Sequence, residues 1–364
     1  MDSDSSVLLV TSNFPPEIGG PAKFTADFAN WLTESDVSCT VLATAPTSSN
    51  TSLGVIQVNL VGRDLRIYKR VIRTLLAIKK LRTKKTALVS GLFYEALLSK
   101  ICFRFSYIAK VPSDIVWDRA RNNGATGLDV DSFQGNEKGV YRLQRILFTQ
   151  SLKSAKQVIV PSHHLESLAR DWGISANRLT VIRNSEAISQ RIQGAEKLYD
   201  IVSVGRLIPL KRNAELIRVV AELGFSLLIV GDGEEFNSLK NLASELKAKV
   251  TFVGAVGHEE VINGLRASRI FAINSDHEGS PNSLIEAMAL GLPVIARANP
   301  GTEELIKNQE NGLLLTENDS LAESINLLLS DPNLQSKFGM AAYEFAEKHL
   351  NRESNFKKIY RLLD

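Results

Sequence analysis

The chain has 364 residues, 44% of them hydrophobic and 23% charged, with a formal net charge of +3. That length is comfortable for two domains and long for one core, and the composition is that of an ordinary soluble globular protein. Two cysteines, Cys39 and Cys102, make neither a disulfide framework nor a metal spacing, which fits a reducing compartment. The acidic start MDSDSSVLLV lacks a basic n-region, so no secretory signal is expected. No apolar run reaches the ~18 residues of a membrane-spanning helix. The charge is uneven: residues 1–191 hold 25 Lys/Arg and 16 Asp/Glu, whereas residues 192–364 hold 18 and 24. An anionic partner is therefore expected for the first half.

Residues 7–11 form a short apolar strand, followed by the loop FPPEIGGP, a helical period over 22–32 and a second strand at 39–44. This opening predicts a parallel, doubly wound sheet. No G-x-G-x-x-G follows the first strand, which disfavours a dinucleotide-binding dehydrogenase. Gly19 and Gly20 either let the backbone approach a ligand or simply make a turn. Over 66–81 the sequence RIYKRVIRTLLAIKKL places Ile67, Tyr68, Val71, Ile72, Leu75, Leu76 and Ile78 on one stripe, with cations off it. Two readings follow: a core-packed helix with a solvated basic face, or a basic helix, 66–85, lying on anionic lipid. Further strands are expected at 87–90, 107–111, 157–161 and 179–182. After the strand at 107–111, Asp114 sits where a helix cap would.

Residues 185–197 turn polar, as a linker would. A strand at 201–204 leads into GRLIPLKR, which places Arg206 and Lys211 beyond a strand's C-terminal end. A forked guanidinium and a mobile ammonium suit a diphosphate, although two surface cations would look the same. Glycine turns follow strands at 227–230 (Gly231-Asp232-Gly233) and 250–254 (Val256 lies just beyond). His258 and His277 read as caps or surface groups, and no histidine pair has zinc spacing. The apolar strand 270–274 then enters SDHEGSPNSLIEAMALG. Beyond Glu278, the residues Gly279, Ser280, Pro281 and Asn282 form a tight turn, and an apolar helix is expected over 283–290, stopping at Gly291. Its free N–H groups at Asn282, Ser283 and Leu284 suit a phosphate. Glu286, expected in the first turn, could accept from sugar hydroxyls; the plain alternative is a capped helix whose glutamates face water. A strand at 293–296, the turn NPGTEE, a short strand or hairpin at 311–315 and a helix over 353–363 complete the chain. The two Asp-x-Asp triplets, Asp2–Asp4 and Asp129–Asp131, lie away from these motifs, and no metal is expected.

Two glutamates separated by seven residues in this context resemble the Glu-x7-Glu motif of family-4 glycosyltransferases, the large retaining group with the GT-B fold. The resemblance implies an α/β chain of two Rossmann-like doubly wound domains facing across a cleft. Residues 1–186 would form the acceptor-side domain, 187–350 the donor domain, and 351–364 a helix crossing back to the first domain. It also implies that Glu286 binds the nucleotide ribose and Glu278 faces the donor sugar. Gly205, Arg206 and Lys211 match the positions that neutralise the leaving diphosphate in place of a metal. Asp232, Gly233 and Val256 would line the donor, and Gly19 and Gly20 its phosphates. Glu304 falls at the acidic position of the family's Gly-Gly-x-x-Glu turn. Two departures stand out: Asp114 lies where many members have a histidine near the reacting sugar, and is expected beside the acceptor with a catalytic role; Asn184-Ser185 replaces Asn-Gly. The expected function is retaining transfer from a UDP- or GDP-sugar to a hydroxyl acceptor, lipid-linked or a cell-envelope glycan. No cofactor and no nucleic acid are expected, and the location would be cytoplasmic or peripheral at the inner membrane face. A UDP-GlcNAc 2-epimerase-like enzyme and a non-catalytic sugar-nucleotide-binding protein are the alternatives.

Overall fold

A computed structural model describes residues 6–17, 19–188 and 196–364; residues 189–195 of the expected linker, Ile18 of the glycine-proline loop and the acidic start 1–5 lie outside them. Two compact units result: Met1–Ile182 with Phe356–Asp364, and Arg183–Asn355. The division falls a few residues from the expected 186/187 and 350/351, for a reason visible in the backbone. The Glu186 N–H donates to the Leu350 carbonyl at 3.0 Å, and the Arg352 N–H donates to the Glu186 carbonyl at 3.0 Å. Residues on both sides of the expected boundaries are thereby tied into the second unit.

The first unit is built on eight strands: β1 (Val7–Thr11), β2 (Cys39–Ala45), β3 (Ser49–Leu53), β4 (Ile56–Gly62), β5 (Ala87–Ser90), β6 (Tyr107–Lys110), β7 (Val158–Val160) and β8 (Leu179–Val181). They run in the order β3-β4-β2-β1-β5-β6-β7-β8, parallel except for the antiparallel β3–β4 edge pair. All five residues of β1 are buried. Leu8 and Val10 enter one core cluster, Val7 and Leu9 the other, so both faces are covered and the strand reads as an unbroken apolar run. The helix Gly20–Glu34 contributes Phe28 and Leu32 to one face, and Phe93–Phe103 and Val140–Ser154 contribute Phe93 and Phe148 to the other. The last helix, Arg352–Leu363, adds Phe356, Ile359 and Leu363 to the Phe28 side. The Phe356 ring meets Phe28 edge-on at 5.1 Å, and Thr86 donates to the Leu363 carbonyl at 3.2 Å. Full burial of such side chains contributes roughly 1.5–3 kcal/mol each, enough to hold this C-terminal segment on the first unit.

The helix Ile67–Leu81 differs from its core-packed reading. Only Thr74 and Ile78 are buried, whereas Ile67, Tyr68, Ile72 and Leu76 are 69%, 53%, 53% and 56% exposed. Tyr68, Ile72 and Leu76, spaced by four, form a strip beside the buried face rather than within it.

The second unit carries β9 (Tyr199–Val204), β10 (Ser226–Val230), β11 (Lys249–Phe252), β12 (Ser268–Ile273), β13 (Val294–Arg297) and β14 (Leu313–Leu315). All are parallel, in the order β11-β10-β9-β12-β13-β14. Successive strands progress outward in one direction from β9 and in the other from β12. The strand order thus reverses between these two neighbours, and a crevice outside their carboxyl ends is where an open α/β sheet binds ligands.

Candidate functional site

The loops leaving β9 and β12 stand side by side at that reversal. After β9 the chain turns through Gly205–Lys211. This loop is zipped to the one after β10, because Gly205 donates to the Val230 carbonyl (3.0 Å), Leu207 to Asp232 (2.9 Å) and Glu235 to Leu207 (3.0 Å). Gly231, at φ 137°, makes the approach possible: a Cβ there would stand 2.9 Å from the Gly205 carbonyl carbon. A Cβ on Gly233 would likewise stand 2.8 Å from Leu207 backbone atoms. The observed contacts of Asp232 and Gly233 therefore shape the cation loop. The Asp232 carboxylate is spent within its own turn, accepting from the Gly233 N–H at 2.7 Å.

Lys211 reaches the acidic loop. Its Nζ lies 2.5 Å from Glu278 Oε1, and the two side chains are only 18% and 11% exposed. Arg206 behaves differently: its side chain is exposed and has no hydrogen bond or ion pair among the described residues. Next to Lys211, the Arg212 guanidinium bridges Asp276 (3.0 Å) and Glu215 (2.7 Å). Asn274 and Arg297 both bind Glu215 as well, at 3.0 and 3.1 Å. Burial alone would raise the Glu215 pKa, but the Asn274 amide and the Arg212 and Arg297 guanidiniums outweigh it and hold the carboxyl below its ordinary range. Signals for this brace existed in the sequence only as unremarkable surface-type residues.

The acidic loop is pinned from a third side by the turn after β13. Asn299 caps the short helix Pro300–Glu303, accepting from Gly301 (3.2 Å) and Thr302 (3.3 Å), and donates Nδ2–H to the Ser275 carbonyl at 3.0 Å. Gly301 lies against Glu278 itself: a Cβ there would come within 2.7 Å of the Glu278 carbonyl carbon and 3.0 Å of its Cβ. Asn184 closes the remaining side, with Nδ2 3.1 Å from Asn282 Oδ1 and 3.4 Å from the Ser280 carbonyl. Arg183 lies 3.8 Å from Glu304.

The helix runs from Asn282 to Ala289 with Pro281 before it and no side chain capping its first turn. The amides of Asn282, Ser283 and Leu284 thus have no intrahelical partner and carry the positive end of the dipole. Glu286 falls in the second turn rather than the first, because the helix starts at Asn282. It is nonetheless buried, and its Oε1 lies 3.6 Å from His258 Nδ1. Glu186 joins them: one ligand atom from each of Glu186, His258 and Glu286 lies within 4.8 Å of the others. The distant spacing of these three in the sequence concealed that grouping. Val256, before the His258 helix, is half-buried against the cluster containing Leu284. Gly19 and Gly20 lie in the first unit, where Gly19 precedes the helix Gly20–Glu34 without a side-chain cap.

Asp114 is not available to a ligand. It caps the helix Ile115–Asn122 by accepting from Val116 (3.1 Å) and Trp117 (3.2 Å) through Oδ1. Its other oxygen accepts from Gln134 at 2.9 Å and Arg145 at 2.5 Å, and the side chain is 0% exposed. Arg145 also holds Glu137 at 2.7 Å. The carboxylate expected near the acceptor is fully engaged in a buried ion pair, and the cap reading of this residue is the one realised.

Two doubly covered parallel sheets, with the ligand-competent loops at the strand reversal of the second, define the GT-B fold class. Residues 184–345 match the family model described as glycosyl transferases group 1. Over its full length the chain is 26% identical to the GDP-mannose-dependent monoacylated alpha-(1-6)-phosphatidylinositol monomannoside mannosyltransferase of Corynebacterium glutamicum, covering 99% of that protein. It is 35% identical over 144 residues to an uncharacterized glycosyltransferase of Haemophilus influenzae, covering 37% of this chain but only 40% of the relative's own length. Among solved structures, the sucrose-phosphate synthase of Thermosynechococcus elongatus aligns with a TM-score of 0.80 at 19% identity, over 98% of both chains. Anabaena HepE in complex with UDP and glucose aligns at 0.76 with 16% identity, over 98% of this chain and 99% of HepE. At such identities the likeness is one of fold, and that fold is GT-B.

Proposed function

We propose that the chain is a retaining glycosyltransferase that moves a sugar from a nucleoside-diphosphate sugar to a hydroxyl acceptor. The observation that carries this reading is the Lys211–Glu278 pair, set beside an uncapped helix N-terminus and the buried Glu286 at the strand reversal. Departure of the diphosphate is the costly event, because negative charge accumulates on it while the sugar becomes oxocarbenium-like. Fixed amide dipoles and the Lys211 ammonium stabilise that charge without reorganising. The exposed Arg206 side chain is free to swing onto the same phosphates, with Gly205 allowing close approach. Glu286 accepts from the ribose hydroxyls, Glu278 faces the donor sugar, and Gly279, Ser280 and Val256 complete the lining. No metal takes part in this scheme, so activity should survive a chelator; the Glu186–His258–Glu286 grouping makes that arm of the assay informative.

A UDP- or GDP-sugar is the donor, and the full-length Corynebacterium relative, GDP-mannose-dependent by name, favours GDP-mannose within that pair. The phosphatidylinositol monomannoside in that relative's name likewise favours a lipid-linked acceptor over a free sugar, met at the cytoplasmic face of a membrane. Among the described residues no helix is long and apolar enough to cross one. Thermal shift with UDP-, GDP- and ADP-sugars in EDTA tests the donor. Saturation at about 100-fold over Kd adds about 2.7 kcal/mol, or roughly 5–10 °C in Tm. Lys211→Ala should then reduce turnover by about 10²–10³-fold with an unchanged circular dichroism spectrum. Turnover near the parent rate would remove Lys211 from the mechanism, and an epimerised sugar formed without acceptor would redirect the assignment.

A further inference from the structure

A cavity of about 670 Å³ lies within the first unit, outside the carboxyl ends of β1, β5 and β6, where Ser12, Gly91 and Ser113 line it. Three helices, Ile67–Leu81 (Ile67, Arg70, Val71), Phe93–Phe103 (Glu95, Leu98) and Val140–Ser154 (Gln144), wall it, together with the helix Ile115–Asn122 through Ile115, Asp118 and Arg119 and the start of Gly20–Glu34 through Pro21. Its lining is largely apolar, but two of the residues that line it, Arg70 and Gln144, carry a buried polar atom, Nε and Oε1, with no hydrogen-bond partner among the described residues. Arg119 also lines it, its guanidinium carbon 5.5 Å above the Tyr94 ring. Neither arginine forms an ion pair with a carboxylate among the described residues. Two carboxyls share the wall. Asp118 accepts from the Ser113 hydroxyl, and burial pushes the Glu95 carboxyl up against the opposing pull of Arg70 and Arg119. Arg119 donates to the Tyr94 hydroxyl at 3.2 Å, and both guanidiniums act on Glu95 across the chamber, yet neither is closed into an ion pair, so an apolar chamber with two guanidiniums fits an amphiphile with an anionic head.

The outer surface of the same three helices has matching character. Tyr68, Ile72 and Leu76 on the first, Leu98 and Ile101 on the second, and Val140, Leu143 and Ile146 on the third are exposed large apolar side chains. Soluble surfaces rarely gather so many on adjacent elements. Arg66, Lys69, Arg73, Lys79 and Lys80 stand exposed along the first helix, and no carboxylate occurs between Asp64 and Glu95. Apolar side chains flanked by unopposed cations are complementary to the headgroup layer of an anionic bilayer.

We propose that this three-helix face docks on an anionic membrane and that the cavity it surrounds takes the phosphate-bearing head of a membrane lipid, held by Arg70 and Arg119. The proposal deepens the acceptor side of the function proposed above and rests on that reading for its catalytic meaning, though not for binding. The lipid's hydrocarbon stays in the bilayer, and its head is presented at the strand ends of the first unit.

Flotation of the full chain with vesicles of equal parts phosphatidylglycerol and phosphatidylcholine tests the docking. Binding is expected at low salt and should fall steeply toward 1 M salt, where the Debye length shrinks to ~3 Å. The Tyr68→Ser/Ile72→Ser/Leu76→Ser variant, altered only at exposed positions, should lose at least tenfold in vesicle binding. It should keep its affinity for monomeric dihexanoylphosphatidic acid, which Arg70→Ala should lower at least tenfold. Donor-nucleotide binding, read by thermal shift, serves as the separate control and should persist in both variants. A chain that binds nucleotide yet ignores anionic vesicles overturns the docking. Arg70→Ala with unchanged phosphatidic acid affinity, or inorganic phosphate competing equally with it, overturns the lipid-head assignment. Failure of the parent chain to bind any sugar nucleotide would instead sink the donor reading, leaving the vesicle result to stand on its own.

Discussion

Gly301→Ala tests the placement of Glu278 without touching any polar group of the site. The backbone at Gly301 is helical, so alanine costs nothing in conformation. The cost comes from space: its Cβ would come within 2.7 Å of the Glu278 carbonyl carbon and 3.0 Å of the Glu278 Cβ. Ordinary carbon contacts need ~3.5–4.0 Å, so one of the two segments must retreat by roughly 1 Å. The glycine's own turn is held by the four hydrogen bonds that Asn299 makes to Gly301, Thr302, Ser275 and Arg297, at 3.0–3.3 Å. The Glu278 segment is an open loop, tied by the Lys211–Glu278 and Arg212–Asp276 ion pairs, the Asp276 N–H bond to the Leu210 carbonyl and the Asn184 bond to the Ser280 carbonyl; as a loop facing a capped helical turn it is the segment expected to move. A displacement of ~1 Å at a reacting centre costs on the order of 10²-fold, equivalent to about 2.7 kcal/mol of barrier. Overpacking should also destabilise the fold by about 1–3 kcal/mol. The assay is steady-state release of nucleoside diphosphate from the donor identified by thermal shift, with kcat and KM separated. Gly127→Ala, where a Cβ meets nothing within 4 Å, is the control. A Gly301→Ala enzyme working within threefold of the parent rate would refute the claim that this turn sets the glutamate.

Asp114→Asn should retain the helix cap through its amide oxygen but remove the charge facing Arg145 Nη2, leaving that guanidinium to Glu137 alone. A loss of about 1.5–3 kcal/mol in chemical denaturation is expected, with activity per folded molecule nearly unchanged. Unchanged stability with collapsed turnover would return Asp114 to the chemistry. Lys110, buried at the end of β6 with its ammonium 4.2 Å from the Phe24 ring centre, has its pKa pushed down by burial to about 8. The unfolded chain then binds the extra proton between about pH 8 and the unfolded value near 10.5, so stability rises with pH across that window. The rise is on the order of 3 kcal/mol. Lys110→Met should remove it from the difference between parent and variant denaturation curves, and identical pH profiles for the two proteins would contradict the buried-amine assignment.

How much of this was readable in one dimension depended on whether the relevant contacts were local. Residues 270–274 and 201–204 announce themselves as buried parallel strands because both faces are covered, and the loops after them are legible because glycine and proline punctuate them. Lys211 and Glu278 could be nominated for the same reason, each lying just past a strand end. What the sequence withheld was pairing across distance. Asp114 could be read as a cap, since that needs only residues two and three positions on, but Arg145, 31 residues later, decides that its second oxygen is occupied too. Glu186, placed in an expected linker, comes beside His258 and Glu286 only through the fold. The β3–β4 edge pair was missed because SNTSL has no apolar alternation, although IQVNLVG after it does.

The helix Ile67–Leu81 shows why apolar periodicity is weaker evidence than it looks. A stripe wide enough to include Tyr68, Ile72 and Leu76 along with Thr74 and Ile78 covers more of the cylinder than one sheet face can bury. In the folded chain the sheet side claims Thr74 and Ile78, while the neighbouring helix Phe93–Phe103 leaves the other flank open. Leaving three large side chains in water forfeits roughly 1.5–3 kcal/mol apiece, a cost that stability alone gives no reason to bear. Exposed Ile101 and Leu143 on the next two helices extend the same pattern, and cations line its border with no carboxylate between Asp64 and Glu95 to oppose them. An apolar strip that the fold declines to bury, placed around an arginine-bearing cavity at the strand ends, is what a surface requires if its second solvent is lipid.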